Sequence, residues 1–230
     1  MTQRSFGGVD IDDFVVVCAS ELERAAPDGV LVHALGIGKA AAAMRLPAVL
    51  RAVPTAKAVL LIGVAGAYPD RHRQRPAPVR RTGLCIVGSD RFGDEGVETP
   101  TGFLPIEDVM ASHHGGVAKA LWSGSPVFPA NPRMAHDAAE RLAAPVVHGV
   151  TVSTCSGTEA SSRRLHERSH ADVETMEGAA VAFVCRQLEL PLLHLRAISN
   201  WTGDRDRADW ALGEALDALR RGMARLFAPV

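Results

Sequence analysis

The chain has 230 residues, 47% hydrophobic and 22% charged, enough apolar side chain to bury a large core within one domain spanning 1–230. A formal net charge of −1 supplies no field that gathers polyanions, which argues against nucleic acid and membrane surfaces as partners and favours a small-molecule ligand. Cys18, Cys85, Cys155 and Cys185 are far apart with no C-x-x-C pair, the pattern of reduced core thiols in a cytoplasmic protein. The first thirteen residues carry no secretory apolar stretch, and the longest apolar run, near 58–67, is too short to span a bilayer.

Taken in chain order, the pattern predicts a first strand at 14–18, continuous in hydrophobicity as strands buried on both faces are. Glu23 follows closely, where an acid overlooks the crevice beyond the carboxyl ends of an open sheet, and it is a candidate general base. A second strand at 30–35 leads into Gly36-Ile37-Gly38-Lys39, whose glycines permit close backbone approach to a ligand. These residues open a helix at 39–53 that Pro47 is expected to interrupt or kink. The third strand, 58–64, runs into Gly63-Val64-Ala65-Gly66-Ala67, a small-residue turn suited to a backbone pressed against a sugar or base; packing of a tight turn accounts for the same glycines.

Between 68 and 81, Arg71, Arg73, Arg75, Arg80 and Arg81 lie among prolines without interleaved aromatics, and the stretch reads as a solvated loop. After a strand at 84–88, the segment 93–132 lacks regular pattern; such stretches cover a site or an interface, or are mobile. His113-His114 has no partner at metal-ligand spacing, so no metal is expected. Next come a helix at 136–142, a strand at 146–153, the turn Ser156-Gly157-Thr158-Glu159 and a helix at 160–169. The string Val173-Glu174-Thr175-Met176-Glu177-Gly178 opens a helix at 177–188, a strand at 192–198 ends in Arg196-Ala197-Ile198-Ser199-Asn200-Trp201, and the last helix is expected at 208–226. Alternation of strands and helices predicts an α/β fold of three αβα layers, with helices on both faces of a mostly parallel sheet.

Together, the glycines after the second and third strands, Met176-Glu177 opening a late helix, and Arg196 to Asn200 ending the last strand resemble the nucleoside phosphorylase and nucleosidase superfamily over about 14–226. Within it, the string from Gly93 to Pro105 and the string from Ser199 to Arg207 are similar to the futalosine hydrolase family, which serves menaquinone biosynthesis. The resemblance implies a phosphorylase/hydrolase-like fold with a mixed, mostly parallel sheet, a homo-oligomer, and no cofactor. It implies hydrolysis of the N-glycosidic bond of futalosine with release of hypoxanthine; the alternatives are a methylthioadenosine/S-adenosylhomocysteine nucleosidase and a purine nucleoside phosphorylase. Phosphorylases resembling this chain hold phosphate with an Arg and a Ser in the turn after the third strand, where this chain has Leu61 and Val64, so water is the expected nucleophile. Retention of both Glu23 and Glu177 argues against a relative that binds without turnover.

By the same resemblance, Glu23 holds and deprotonates the attacking water, Glu177 accepts hydrogen bonds from the ribose hydroxyls, and Met176 packs against the sugar. Ala65 and Gly66 bring backbone to the ligand, and Ser199 and Asn200 meet the base. Methylthioadenosine nucleosidases carry an Asp at the position of Asn200; an amide donates to N7 of the purine but cannot deliver a proton to it. Thr158 and Glu159 stand where relatives clasp the base, with Phe103 or Trp201 expected to stack on it. Asp204 and Asp206 are expected to order their loop. The benzoate carboxylate of the substrate requires a cation, from the arginines of 71–81 or from a neighbouring subunit.

Overall fold

Successive residues of the central strands face opposite layers, and this alternation builds the molecule. On β3 (Phe14–Cys18), Val15 and Val17 pack into one apolar cluster while Phe14 and Val16 pack into another; on β5 (Ala58–Ala67), Val59 and Leu61 separate from Leu60 and Ile62 in the same way. One cluster is covered by α1 (Lys39–Ala52) and α4 (Gly178–Gln187), through Ala42, Leu46, Ala179 to Ala182 and Cys185. The other is covered by α2 (Pro132–Leu142) and α5 (Leu212–Phe227), through Met134, Ala138, Leu219, Met223 and Leu226. Three αβα layers follow, as the sequence pattern requires.

This computed structural model describes residues 4–109, 126–204 and 210–229. A small hairpin of β1 (Ser5–Phe6) and β2 (Val9–Asp10) precedes β3, and β4 (Val32–Ala34) lies between β3 and α1. After β5 come β6 (Leu84–Arg91), a hairpin of β7 (Gly96–Thr99) and β8 (Gly102–Pro105), β9 (Val127–Pro129) and α2. Then follow β10 (Val146–Thr151), α3 (Glu159–Ser169), β11 (Val173–Thr175), α4, β12 (Leu192–Trp201) and α5.

The eight-stranded sheet runs β11-β10-β6-β12-β5-β3-β4, with β9 on β6 and an extra antiparallel pairing of β11 with β5. That pairing closes β5, β12, β6, β10 and β11 into a ring. All five of its strands contribute to a third apolar cluster, Ala65, Ala67, Cys85, Val87, Val147, Val173 and Ile198. The sheet is mixed: β12 and β3 lie parallel to β5, and β12 lies antiparallel to β6.

Several differences from the sequence pattern have physical causes. α1 continues through Pro47 without a break, since proline removes one hydrogen bond from a helix long enough to hold on either side. β5 and β12 extend three residues past their expected ends because Ala65 pairs with Ile198 and, past a bulge at Ser199, Gly66 and Ala67 pair with Asn200 and Trp201. The expected loop at 93–132 contains the β7/β8 hairpin and β9; His113-His114 and Asp206 lie outside the described residues. Cys18, Cys85 and Cys185 are buried free thiols, but Cys155 is exposed just past β10, so it is not a core residue. Among the described residues no helix is long and apolar enough to cross a membrane.

α2 starts where Asn131 accepts from the backbone N–H groups of Arg133 and Met134, both at 3.1 Å, with Pro132 at the first helical position. Asn131→Ala removes this cap while leaving the core intact. Urea unfolding is expected to show a loss of about 1 kcal/mol, and an unchanged midpoint would show that the cap contributes nothing.

Candidate active site

Along one edge, β5 changes partner. It pairs with β3 up to Leu61 and with β11 from Gly66, so the backbone between has no strand on that side. The peptide groups of Val64 face this opening and are satisfied by side chains instead: Val64 N–H donates to Glu23 Oε1 at 2.8 Å, and Val64 O accepts from Arg196 Nη1 at 3.3 Å.

Glu23 arrives by a 3-10 turn, Glu21–Glu23, entered through a reciprocal capping box with Ser20. Its second oxygen accepts from Ser20 N–H at 3.1 Å and Ser20 Oγ at 3.2 Å, and the residue is 6% exposed. Glu177, 4% exposed, lies between β11 and α4 and accepts from Gly38 N–H at 2.8 Å. Gly38 has φ of 92°, a left-handed conformation that an L side chain resists, so the turn before α1 can aim this N–H at the carboxylate. Burial pushes the Glu177 carboxyl up and the Arg196 guanidinium pulls it back; Glu23 is close enough to add to the rise.

Arg196 stands between the two acids. It is 1% exposed; its Nη2 is 3.9 Å from Glu177 Oε2 and has no hydrogen-bond partner. A Cβ on Gly63 would overlap Arg196 Nη1 and sit 2.6 Å from Glu23 Oε1, so both groups lie on the face of Gly63. The two glutamates expected from the sequence are therefore brought together, and Arg196, quoted there only as part of a motif, joins them. A basic residue in the middle of the buried strand β12 was the available signal, because such a charge needs a partner.

Further along β5, Gly66 is opposite Glu174 of β11 and Asn200 of β12. The bulge re-aims Ser199 and Asn200: Ser199 Oγ has Ala65 O at 3.2 Å and Asn200 Oδ1 at 2.8 Å, and its one proton serves these acceptors in turn. Asn200 Nδ2 donates to Trp201 O at 3.0 Å, and the second N–H of the amide is the donor available to a ligand. Buried Glu174 accepts from Tyr68 OH, Ser156 N–H and Ser156 Oγ at 3.0, 2.8 and 2.6 Å, tying the turn after β10 to the same place. Val64 and Gly66 are two positions apart, a span of roughly 7 Å along a strand. That distance suits a sugar between an acid end and an amide end, and half-buried Met176 sits beside Glu177.

Other expected residues have different employment. Thr158 caps α3, its hydroxyl accepting from Ser161 N–H at 3.1 Å. The Glu159 carboxylate takes Arg71 Nε at 2.8 Å and His72 Nε2 at 2.5 Å, and Arg71 first, then His72, hold it at about 2. Its backbone N–H donates to Asp204 Oδ1 at 2.8 Å, which ties Asp204 to the start of α3. The Phe103 ring lies under the Arg168 guanidinium at 4.2 Å, and Trp201 packs on the cluster inside the ring of strands. Arg73 pairs with Asp172, so neither Arg71 nor Arg73 belongs to a freely solvated loop. Leu61 is fully buried under α1 and does not face the opening.

Lys39, at the start of α1, bridges Asp94 at 2.7 Å and Glu95 at 3.1 Å, and Asp94 also accepts from Ser153 N–H at 2.6 Å. The glycine-rich segment before β7 is thereby anchored beside the Gly38 turn. No group of three or more metal-ligating side chains occurs among the described residues.

A family model described as "Phosphorylase superfamily" matches residues 24–229. The chain is 37% identical over 195 residues to a futalosine hydrolase of Thermus thermophilus, covering 84% of this chain and 79% of that protein. It is 35% identical over 209 residues to a futalosine hydrolase of Streptomyces coelicolor, covering 89% and 80%. The fold is similar to the native structure of futalosine hydrolase from Helicobacter pylori, with a TM-score of 0.71 at 16% identity over 93% of this chain and 96% of that one.

Two outcomes test this geometry. Gly63→Ala is expected to displace Arg196 and Glu23 and to lower kcat on the order of 100-fold with the circular dichroism spectrum preserved; wild-type turnover would show that they do not meet at Gly63. Behind Arg196, burial raises the Asp90 carboxyl from 3.8 to about 7. Because the folded value lies above the unfolded one, its contribution to stability is full below about 4 and is lost as pH rises through about 7. Urea midpoints of wild type, relative to Asp90→Asn, are expected to fall between pH 4 and pH 8; a constant difference would place Asp90 outside this titration.

Proposed function

The chain belongs to the phosphorylase superfamily and, within it, to the futalosine hydrolases, and from that premise we propose how this cleft hydrolyses the N-glycosidic bond of futalosine and releases hypoxanthine. The observation that carries the reading is the convergence of Glu23 and Glu177 on one buried guanidinium in the gap of β5.

As the bond from C1′ to the purine stretches, the sugar becomes cationic and the base gathers negative charge, so stabilisation requires carboxylates at one end and donors at the other. Water enters beside Glu23. The carboxylate is fixed by Val64 N–H and Ser20, keeps lone pairs for the water, and takes its proton as the oxygen bonds to C1′. Arg196 Nη2, the donor without a partner, orients that water. Glu177 accepts from the ribose hydroxyls, a contact that strengthens as the ring gains positive charge, and Met176 covers the sugar.

At the far end Asn200 donates an N–H to the purine. The Ser199 hydroxyl beside its carbonyl orients the amide as a donor toward the base. An amide delivers no proton, so the leaving purine is protonated from water.

Water is favoured over phosphate because the N–H that an anion would use, that of Val64, already holds a carboxylate. A second anion there meets Glu23 at close range, with the Val64 N–H already occupied.

The reaction belongs to menaquinone biosynthesis, in the cytoplasm. A homo-oligomer is supported by exposed Leu22, Ile37 and Met44, at 68%, 65% and 82%, on the two loops and the helix that carry Glu23 and Gly38; those loops are joined by Gly36 N–H to Ala19 O. A second copy covering these side chains places its own surface beside the cleft.

Purine release from futalosine, its 6-amino analogue, methylthioadenosine and inosine, with and without phosphate, tests the assignment. Futalosine is expected to turn over fastest with no phosphate dependence; a phosphate requirement, or faster release from methylthioadenosine, overturns it. Glu23→Gln is expected to lower kcat by about 100-fold or more with hypoxanthine binding retained.

A further inference from the structure

Arg196 is gripped from behind by side chains outside the chemistry above. Its Nε donates to His194 Nε2 at 2.7 Å. A nitrogen that accepts is unprotonated, so the neutral ring carries its hydrogen on Nδ1. Burial first, and the neighbouring guanidinium second, hold the His194 imidazole well below its ordinary range, which keeps it neutral. Nδ1 faces Asp90 Oδ2 at 3.9 Å, and that oxygen is buried without a hydrogen-bond partner. The other oxygen, Oδ1, accepts from Arg91 N–H at 2.8 Å and Thr151 Oγ1 at 3.0 Å. Asp90, His194 and Arg196 are 2%, 1% and 1% exposed, so solvent cannot stand in for any of these three side chains toward the others.

We propose that Asp90 and His194 are positioning residues for the hydrolysis: the ionised carboxylate selects the Nδ1–H form of His194, and the free Nε2 of that form fixes Arg196 with Nη2 aimed at the attacking water. This rests on the nucleosidase reading of the cleft. The groups that face Asp90 are His194 and Arg196 from β12, Glu177 ahead of α4, and the hydroxyls of Thr151 on β10 and Thr175 on β11. A proton taken up on Oδ2 turns that oxygen into a donor opposed to Nδ1–H. The ring is then without the partner that holds its tautomer, and Arg196 is without its acceptor. Turnover therefore rises as Asp90 gives up its proton near neutral pH, with the switch lying behind the site and away from the substrate.

Two substitutions at one position separate orientation from packing. His194→Gln keeps an oxygen to accept from Arg196 Nε, and His194→Leu keeps none. On futalosine, kcat is expected to fall about 100-fold in the Leu variant and less than about fivefold in the Gln variant, with KM little changed in either. Equal losses in kcat overturn the proposal. The neutral-range acidic limb of kcat against pH is expected to disappear in His194→Gln and in Asp90→Asn; its persistence in both overturns it. Nitrogen-15 spectra of histidine-labelled wild-type protein, with His194 assigned by its absence from the Gln variant, are expected to show the Nδ1–H form at pH 8. An Nε2–H form overturns the proposal without reference to activity. If wild type releases no hypoxanthine from futalosine, the substrate assignment fails, and the tautomer still decides the relay.

Discussion

The backbone N–H and C=O of Val64 have no strand beside them, and the cleft depends on how they are satisfied. A buried N–H or C=O without a partner costs roughly 1–3 kcal/mol, and here the two are met by an acid and a base from separate parts of the chain. Glu23 comes from the turn after β3, and Arg196 comes from the strand on the other side of β5. Both are drawn into the gap by the backbone before any substrate arrives. The ring of strands explains why the gap exists at all: β11 joins β5 only at Gly66 and Ala67, past the point where β3 has left it.

The cleft is also a problem in buried charge. Two carboxylates and one guanidinium lie within the same few ångströms of low-exposure space, and their formal charges do not cancel. Such a set persists when each member is held by hydrogen bonds rather than by ion pairing alone. Glu23 has Ser20 and Val64, Glu177 has Gly38, and Arg196 has Val64 O and His194. The residual negative charge is then available to a developing sugar cation, and the same charge discourages an anionic nucleophile. Under the proposed mechanism the choice of water over phosphate rests on Glu23 at the Val64 N–H, and the Leu61 side chain, buried in the core, does not face that opening.

How much of this was legible in the sequence follows from which interactions are local. Strands buried on both faces announce themselves by continuous hydrophobicity, so β3 appears at its observed bounds, and the acid just past it was found from position alone. Glu177, Met176, Ser199 and Asn200 were singled out through motif, and they lie on or next to the strands that flank β5. Other contacts depend on long-range partners. Glu159 is an acid in a turn until Arg71 and His72, 88 and 87 positions away, are seen to hold it. Closure of the sheet by the three-residue strand β11 was hidden within the string that also announces Glu177, because so short a strand carries little periodicity. Phe103 is apolar in sequence, but its ring is taken up by Arg168.

The satisfaction of each buried acid separates scaffold from chemistry. Glu174 is as buried as Glu23 and lies opposite Gly66, yet both of its oxygens are engaged by Tyr68 and Ser156, which makes it a clasp for the turn after β10. Asp172 likewise gives one oxygen to Arg73 and the other to His148 N–H. By contrast, Asp90 Oδ2 and Arg196 Nη2 are buried without a hydrogen-bond partner. Buried polar atoms in that condition are costly to retain, and both lie on the line that runs from Asp90 through His194 and Arg196 to Glu177. Fold stability alone gives no reason to keep two such atoms on one line. A reaction that needs a carboxylate ready for ribose hydroxyls, and a guanidinium held with one donor free, does.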